Sequence, residues 1–128
     1  MMIPLCLLLG YEMPQLDVFL NRDDISGDSA GLGVALTGLI SQNQLKNDIQ
    51  IGVTGALSNK GDVLEIGGVK QKLLIAETEG YPYIIIPHDN TAEAKKVKEE
   101  QNLKIQIIDV EHIDEAVQQI VLLNEENV

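Results

Sequence analysis

Cysteine, aromatic residues and positive charge are all scarce in this sequence. Its 128 residues include one cysteine, no tryptophan, one phenylalanine and three tyrosines. With Cys6 alone, no disulfide forms within the chain. A small disulfide scaffold is therefore excluded, and a reducing, cytoplasmic compartment is the expectation. The two histidines, His88 and His112, lie far apart with no Cys/His cluster around them, so no metal site is expected. Nine basic residues against 20 acidic ones leave a net charge of −11. Such a chain repels phosphate backbones, and it has too few aromatics for base stacking, so nucleic acid is not an expected partner. The apolar run Ile3–Leu9 is seven residues long. That is too short to span a bilayer, and it lacks the basic flank and small-residue cleavage site of a signal peptide. No Gly-x-x-x-x-Gly-Lys-Ser/Thr motif occurs, so these residues hold no P-loop, and no cofactor is expected.

What is present is a globular composition, 45% hydrophobic and 23% charged, of a length that suits one domain. Residues 1–15 form an apolar N-terminal segment, read as a truncated remnant or a covering strand, and 16–124 form the domain. Leu16–Leu20 has strand character, with Val18 and Leu20 on the face opposite Asp17 and Phe19. Asn21–Asp28 is a polar, Gly-containing loop. Ser29–Gln42 is helical in pattern. Ile49–Leu57 and Asp62–Ile66 flank the turn signal Ser58-Asn59-Lys60-Gly61 and predict a hairpin. Gly67-Gly68 breaks the second strand, and a helix follows over Val69–Glu79, ended by Gly80. A strand Tyr83–Ile86 stops at Pro87. Asn90 and Thr91 then offer an N-cap for a helix Ala92–Gln101. Lys104–Val110 is a strand, and Ile113–Leu123 an amphipathic helix. This alternation predicts helices packed on a mixed sheet, in an α/β or α+β architecture.

Two stretches carry chemistry. Gly27-Asp28-Ser29-Ala30-Gly31 stands at a loop-to-helix junction, where unpaired backbone N–H groups and the positive end of the helix dipole stabilise an oxyanion. The same residues also read as an ordinary helix cap. Ile66-Gly67-Gly68-Val69-Lys70-Gln71-Lys72 places two lysines beside the Val69/Leu73/Ala76 stripe. They lie about 60° (Lys72) and about 100° (Lys70) from its centre at 100° per residue. A lysine held out of water there serves as a base, and one that snorkels merely covers apolar surface. Geometry barely separates the two.

Taken together, Gly-Asp-Ser-Ala-Gly, Val53-Thr54-Gly55, Gly61-Asp62-Val63-Leu64-Glu65-Ile66-Gly67-Gly68-Val69-Lys70-Gln71-Lys72 and Ile84-Ile85-Ile86-Pro87, in that order, resemble the proteolytic domain of the Lon proteases, which are Ser–Lys peptidases. The resemblance runs from about Leu16 to about Leu123. The 43-residue interval from Ser29 to Lys72 matches the family spacing. The family's base is the second lysine after Gly-Gly, so the resemblance selects Lys72 over Lys70.

The resemblance implies an α+β fold similar to the second domain of ribosomal protein S5. It also implies a serine endopeptidase whose dyad is Ser29 and Lys72, and with no P-loop among these residues the expected activity is ATP-independent. Thr54 would orient the lysine, and backbone N–H groups of Asp28, Ser29 and Ala30 are the oxyanion-hole candidates. The implied substrate is an unfolded protein or a peptide, and the implied assembly is a homo-oligomer. A separate ATPase or PDZ partner is a further possibility. A chain cut from a PDZ-containing relative would instead be membrane-associated or extracytoplasmic. The alternative function is a catalytically weak or inactive Lon-like module for protein interaction. Two departures bear on that choice. Many members carry Asp three residues before the serine and Pro immediately before it, where this chain has Ser26 and Asp28. Asp28 matches another subgroup, but close to Lys72 its carboxylate would keep the amine charged. The 28 residues ahead of Ser29 are also fewer than the family usually has, so a shortened N-terminus is expected.

Overall fold

The structure is a computed structural model that describes residues 16–18 and 31–126. The elements are β1 (Leu16–Val18), α1 (Gly31–Ser41), β2 (Ile51–Val53), β3 (Ala56–Leu57), β4 (Val63–Leu64), α2 (Val69–Thr78), β5 (Tyr83–Pro87), a 3-10 turn (His88–Asn90), α3 (Thr91–Glu100), β6 (Gln106–Val110) and α4 (Ile113–Glu126). The expected segment 1–15 lies outside the described residues, as do Phe19, Leu20 and the loop Asn21–Asp28.

Four strands form one sheet in the order β1-β2-β5-β6, every neighbouring pair parallel. A parallel sheet joined by crossovers is covered on both faces, so its strands read as continuous β-branched runs rather than alternating ones. Ile84-Ile85-Ile86 fits this, with all three side chains fully buried. Their period of two divides them between two cores. Ile85 joins Ile51, Val53 and Val110 beneath α1 and α4, through Leu32, Leu36, Ala116 and Ile120. Ile84 and Ile86 face α2 and α3, through Val69, Leu73, Ala94 and Val97.

This division fixes the chirality of the connections. The chain steps across the sheet in one direction from β1 to β6. Yet α1 lies on one face while α2 and α3 lie on the other. The β1–α1–β2 crossover therefore has the opposite hand to the two that follow. Parallel crossovers are right-handed in about 98% of cases, so one of these connections departs from the rule.

The predicted long hairpin is corrected. Its first run belongs to two sheets: β2 pairs in the parallel sheet, and only Ala56–Leu57 pairs antiparallel with Val63–Leu64. The break falls at Thr54-Gly55. Thr54 N–H still donates to Ile85 O at 3.0 Å, continuing the parallel ladder, while Gly55 O accepts from Leu32 N–H at 3.0 Å at the start of α1. Both β4 and α1 approach this bend closely. A Cβ on Gly55 would stand 3.1 Å from Val63 Cγ1 and 3.3 Å from Leu32 Cδ2. The turn Ser58–Gly61 forms as expected, with Gly61 N–H donating to Ser58 O at 3.0 Å. The expected mixed sheet is likewise corrected: among the described residues antiparallel pairing is confined to β3–β4 and one isolated bridge between Asp62 and His112, because each main-sheet strand after β1 is entered by a crossover.

The last helix extends past the predicted Leu123 because Asn124 ties it to the loop before β2. Asn124 Nδ2 donates to Ile120 O at 2.7 Å and Asn47 Oδ1 at 2.8 Å, and Asn124 Oδ1 accepts from Asp48 N–H at 2.7 Å.

Gly55→Ala is expected to lower stability by about 1–3 kcal/mol, since Val63 and Leu32, both buried, must shift to admit the added methyl. Urea unfolding should show a lower midpoint at unchanged slope. A midpoint equal to that of the parent protein would mean that α1 does not pack against the bend this tightly.

Candidate active site

The site is built from the two breaks in regular structure that face α2. At the first, Gly68 takes a left-handed conformation, φ 74°, just before α2. A residue with a Cβ pays a steric cost there, whereas glycine does not. The turn starts the helix so that Val69, Leu73 and Ala76 point into the core. The same rotation carries Lys72 inward. Its side chain is only 3% exposed, and Nζ donates to Gly67 O at 3.3 Å. Lys70 is exposed. The two lysines that helical spacing alone left nearly equivalent are thus separated, because the helix seats deeply enough to bury the position about 60° off the stripe but not the one about 100° away.

At the second break, Thr54 is fully buried. Strand alternation carried one residue past Val53 directs it to the face opposite Val53, the face covered by α2 and α3. Thr54 and Lys72 therefore belong to the same side of the sheet. The first turn of α1 is bonded to the neighbouring Gly55, which fixes where that helix begins. Asp28, Ser29 and Ala30 lie outside the described residues, as does Ser26.

One polar residue of this region escaped the sequence reading. Asn90 was expected to cap the helix after it, but its side chain makes no capping bond. It is 1% exposed and turned the other way, across to the Gly-Gly segment. Asn90 Oδ1 accepts from Ile66 N–H at 3.0 Å, and Asn90 Nδ2 donates to Ile66 O at 2.9 Å. A buried carboxamide needs both kinds of partner, and the loose end of β4 supplies them. The available signal was the polar triplet His88-Asp89-Asn90 directly after a fully apolar strand, which forces a polar group close to the core edge.

The turn bearing Asn90 is fastened at its other end by an exposed pair, His88 Nδ1 to Asp109 Oδ2 at 2.5 Å. The hydrogen bond to Asp109 raises the His88 pKa above 6.5, with help from the nearby carboxylates of Glu111, Asp109 and Asp89. The same bond lowers Asp109 below 3.8. Among the described residues there is no group of three His, Cys, Asp or Glu able to hold a metal, and no helix long and apolar enough to cross a membrane.

Comparison with known proteins decides what this arrangement belongs to. Residues 22–123 match the model of the Lon protease (S16) C-terminal proteolytic domain. The chain belongs to the Lon protease family. It is 35% identical over 101 residues to the Lon protease of Clostridioides difficile, covering 79% of this chain and 13% of that protein. It is 39% identical over 93 residues to the Lon protease of Elusimicrobium minutum, covering 71% and 11%. With the archaeal Lon protease of Archaeoglobus fulgidus it shares 31% over 115 residues, covering 87% and 18%. The chain thus spans less than a fifth of the length of these relatives. Its fold is the α+β fold of the Lon proteolytic domain, as the motif order predicts, and the family is one of serine peptidases.

The His88–Asp109 pair yields a signed expectation. The raised His88 pKa contributes stability that is complete below about pH 6.5 and is lost as pH rises through the folded value. The lowered Asp109 pKa contributes stability present above about pH 3.8 and lost as pH falls through its folded value. Comparison of Tm for the parent protein and His88→Gln should therefore show the largest deficit near pH 5–6, roughly the window between those values, shrinking toward pH 8. A deficit that grows on the alkaline side would refute the pairing.

Proposed function

We propose that this chain is a Lon-type serine endopeptidase unit that hydrolyses peptide bonds with Ser29 as nucleophile and Lys72 as general base. The observation carrying this reading is the burial of Lys72, against an exposed Lys70, with Nζ held on Gly67 O. Taking an amine out of water disfavours its charged form, and only the neutral amine accepts a proton. A wet, mobile lysine would be of no use to a serine as base at neutral pH.

In this mechanism the Ser29 hydroxyl gives its proton to Lys72 Nζ as Oγ bonds to the scissile carbonyl carbon. The carbonyl oxygen becomes an oxyanion, stabilised by backbone N–H groups at Asp28, Ser29 and Ala30 at the head of α1. Lys72 then returns the proton to the leaving amine as the C–N bond breaks, leaving an acyl ester on Ser29. Water attacks the ester by the same steps, its proton passing through Lys72 back to Ser29. Thr54 and Gly67 O together hold the amine so that its lone pair faces the serine. No step consumes a nucleotide, so the chemistry is ATP-independent. The substrate is an extended segment of an unfolded protein or a peptide. Assembly as a homo-oligomer belongs to the same proposal, and the half-exposed Leu64, Ile75, Val121 and Leu122 are surface available for it.

Ser29→Ala and Lys72→Ala should each reduce hydrolysis of an unfolded protein by about 10³-fold or more, because nucleophile and base act as one unit. Lys70→Ala should stay within about twofold of the parent. Loss of activity in Lys70→Ala with activity kept in Lys72→Ala would overturn the assignment. An inert parent protein would favour the interaction-module reading instead.

For the active protein, kcat should rise with pH to a midpoint well below the roughly 10.4 of a free lysine. Thr54→Val should lower kcat by misplacing the amine. A kcat that is flat through the alkaline range and indifferent to Thr54→Val would count against a lysine base.

A further inference from the structure

We infer that Asn90 is a positioning residue for Lys72, acting through the backbone of Ile66 and Gly67. The inference rests on the peptidase reading for its catalytic consequence, but its structural part stands on its own geometry. Gly67 O is an acceptor that Lys72 Nζ reaches, at 3.3 Å. A carbonyl orients an amine only as well as its own peptide is held. Gly67 has no neighbour within 4 Å of where a Cβ would be, so side-chain packing does not fix it. β4 ends at Leu64, so no strand ladder holds it either.

The peptide plane is instead held from its two sides. On the C-terminal side, Gly68 O accepts Lys72 N–H at 3.1 Å, tying the segment into α2. On the N-terminal side, Asn90 takes both polar backbone groups of Ile66, at 3.0 and 2.9 Å. One carboxamide thus replaces a missing strand neighbour, and it does so from a site that is 1% exposed, where loss of either bond leaves a buried group unpaired. Asn90 in turn is delivered by the short turn between β5 and α3, which the His88–Asp109 pair fastens to β6. The chain of contact is β5, Asn90, Ile66, Gly67 O, Lys72 Nζ. A residue acting this way affects the chemical step and leaves substrate binding alone.

The test uses the 128-residue chain with lysine labelled by 13C at Cε, and the parent, Asn90→Ala and Asn90→Asp proteins. The Lys72 Cε signal, assigned through Lys72→Arg, should stand apart from that of exposed Lys70. Asn90→Ala should move it toward the Lys70 position while the Ile84 and Ile86 methyl signals stay in place. Asn90→Asp keeps the acceptor for Ile66 N–H and loses the donor to Ile66 O at neutral pH, so it should move the signal the same way by less. It also decides the matter if Asn90→Ala does not fold. In peptide hydrolysis, Asn90→Ala should lower kcat about tenfold or more with KM within about twofold. If the parent protein hydrolyses nothing, the peptidase reading fails while the displaced Lys72 signal still supports the positioning role. A Lys72 signal that stays put in both folded variants overturns the inference, whatever the peptidase does.

Discussion

The middle of the parallel sheet must be kept dry on both faces, and the rest of the molecule follows from that constraint. β5 presents three consecutive isoleucines, none of which reaches water. A strand of this kind cannot lie at a surface, since each face leaves apolar area that some helix must cover. Its neighbour β2 shares the problem, its three residues all buried, and four helices divide the two faces between them. The change of face between α1 and α2 follows, and with it the change of hand in the crossovers. The bend at Thr54-Gly55 lies where the chain passes from one arrangement to the other.

The polar residues that break this apolar rule are informative because each costs free energy unless paired. Of the five buried polar residues among those described, Thr37 lies within α1 and Asn47 in the loop before β2, while Thr54, Lys72 and Asn90 sit where regular structure gives out: past the end of β2, on the first turns of α2, past the end of β5. Strand ends and helix starts leave backbone donors and acceptors without ladder partners. The side chains of Lys72 and Asn90 meet that need through Gly67 and Ile66. The requirement to satisfy the backbone and the requirement to hold a buried amine are met by the same contacts.

Much of the fold was legible in the sequence because its periodicities are local. The helix starting at Val69, the strand Tyr83–Ile86, which the structure extends by Pro87, and the turn Ser58–Gly61 are each set by residues within a few positions of one another. The hairpin was misread for the opposite reason. Ile51–Val53 and Ala56–Leu57 have the same apolar character, and nothing local tells that one pairs with β5 and the other with β4. Asn90 was misread because an asparagine before a helix ordinarily caps it, and its true partner is 24 residues away.

The order and spacing of the motifs, from Gly-Asp-Ser-Ala-Gly through Gly-Gly-Val-Lys-Gln-Lys, were enough by themselves to determine the family, and with it the α+β fold. These features are written in the chain because backbone turns and helix starts demand particular residue types at fixed intervals. Only the tertiary structure decided which lysine is buried, which asparagine fixes the Gly-Gly segment, and where the first helix abuts the sheet. Burial and hydrogen bonding are set by what packs opposite a residue, and that neighbour is chosen by the crossovers of the sheet.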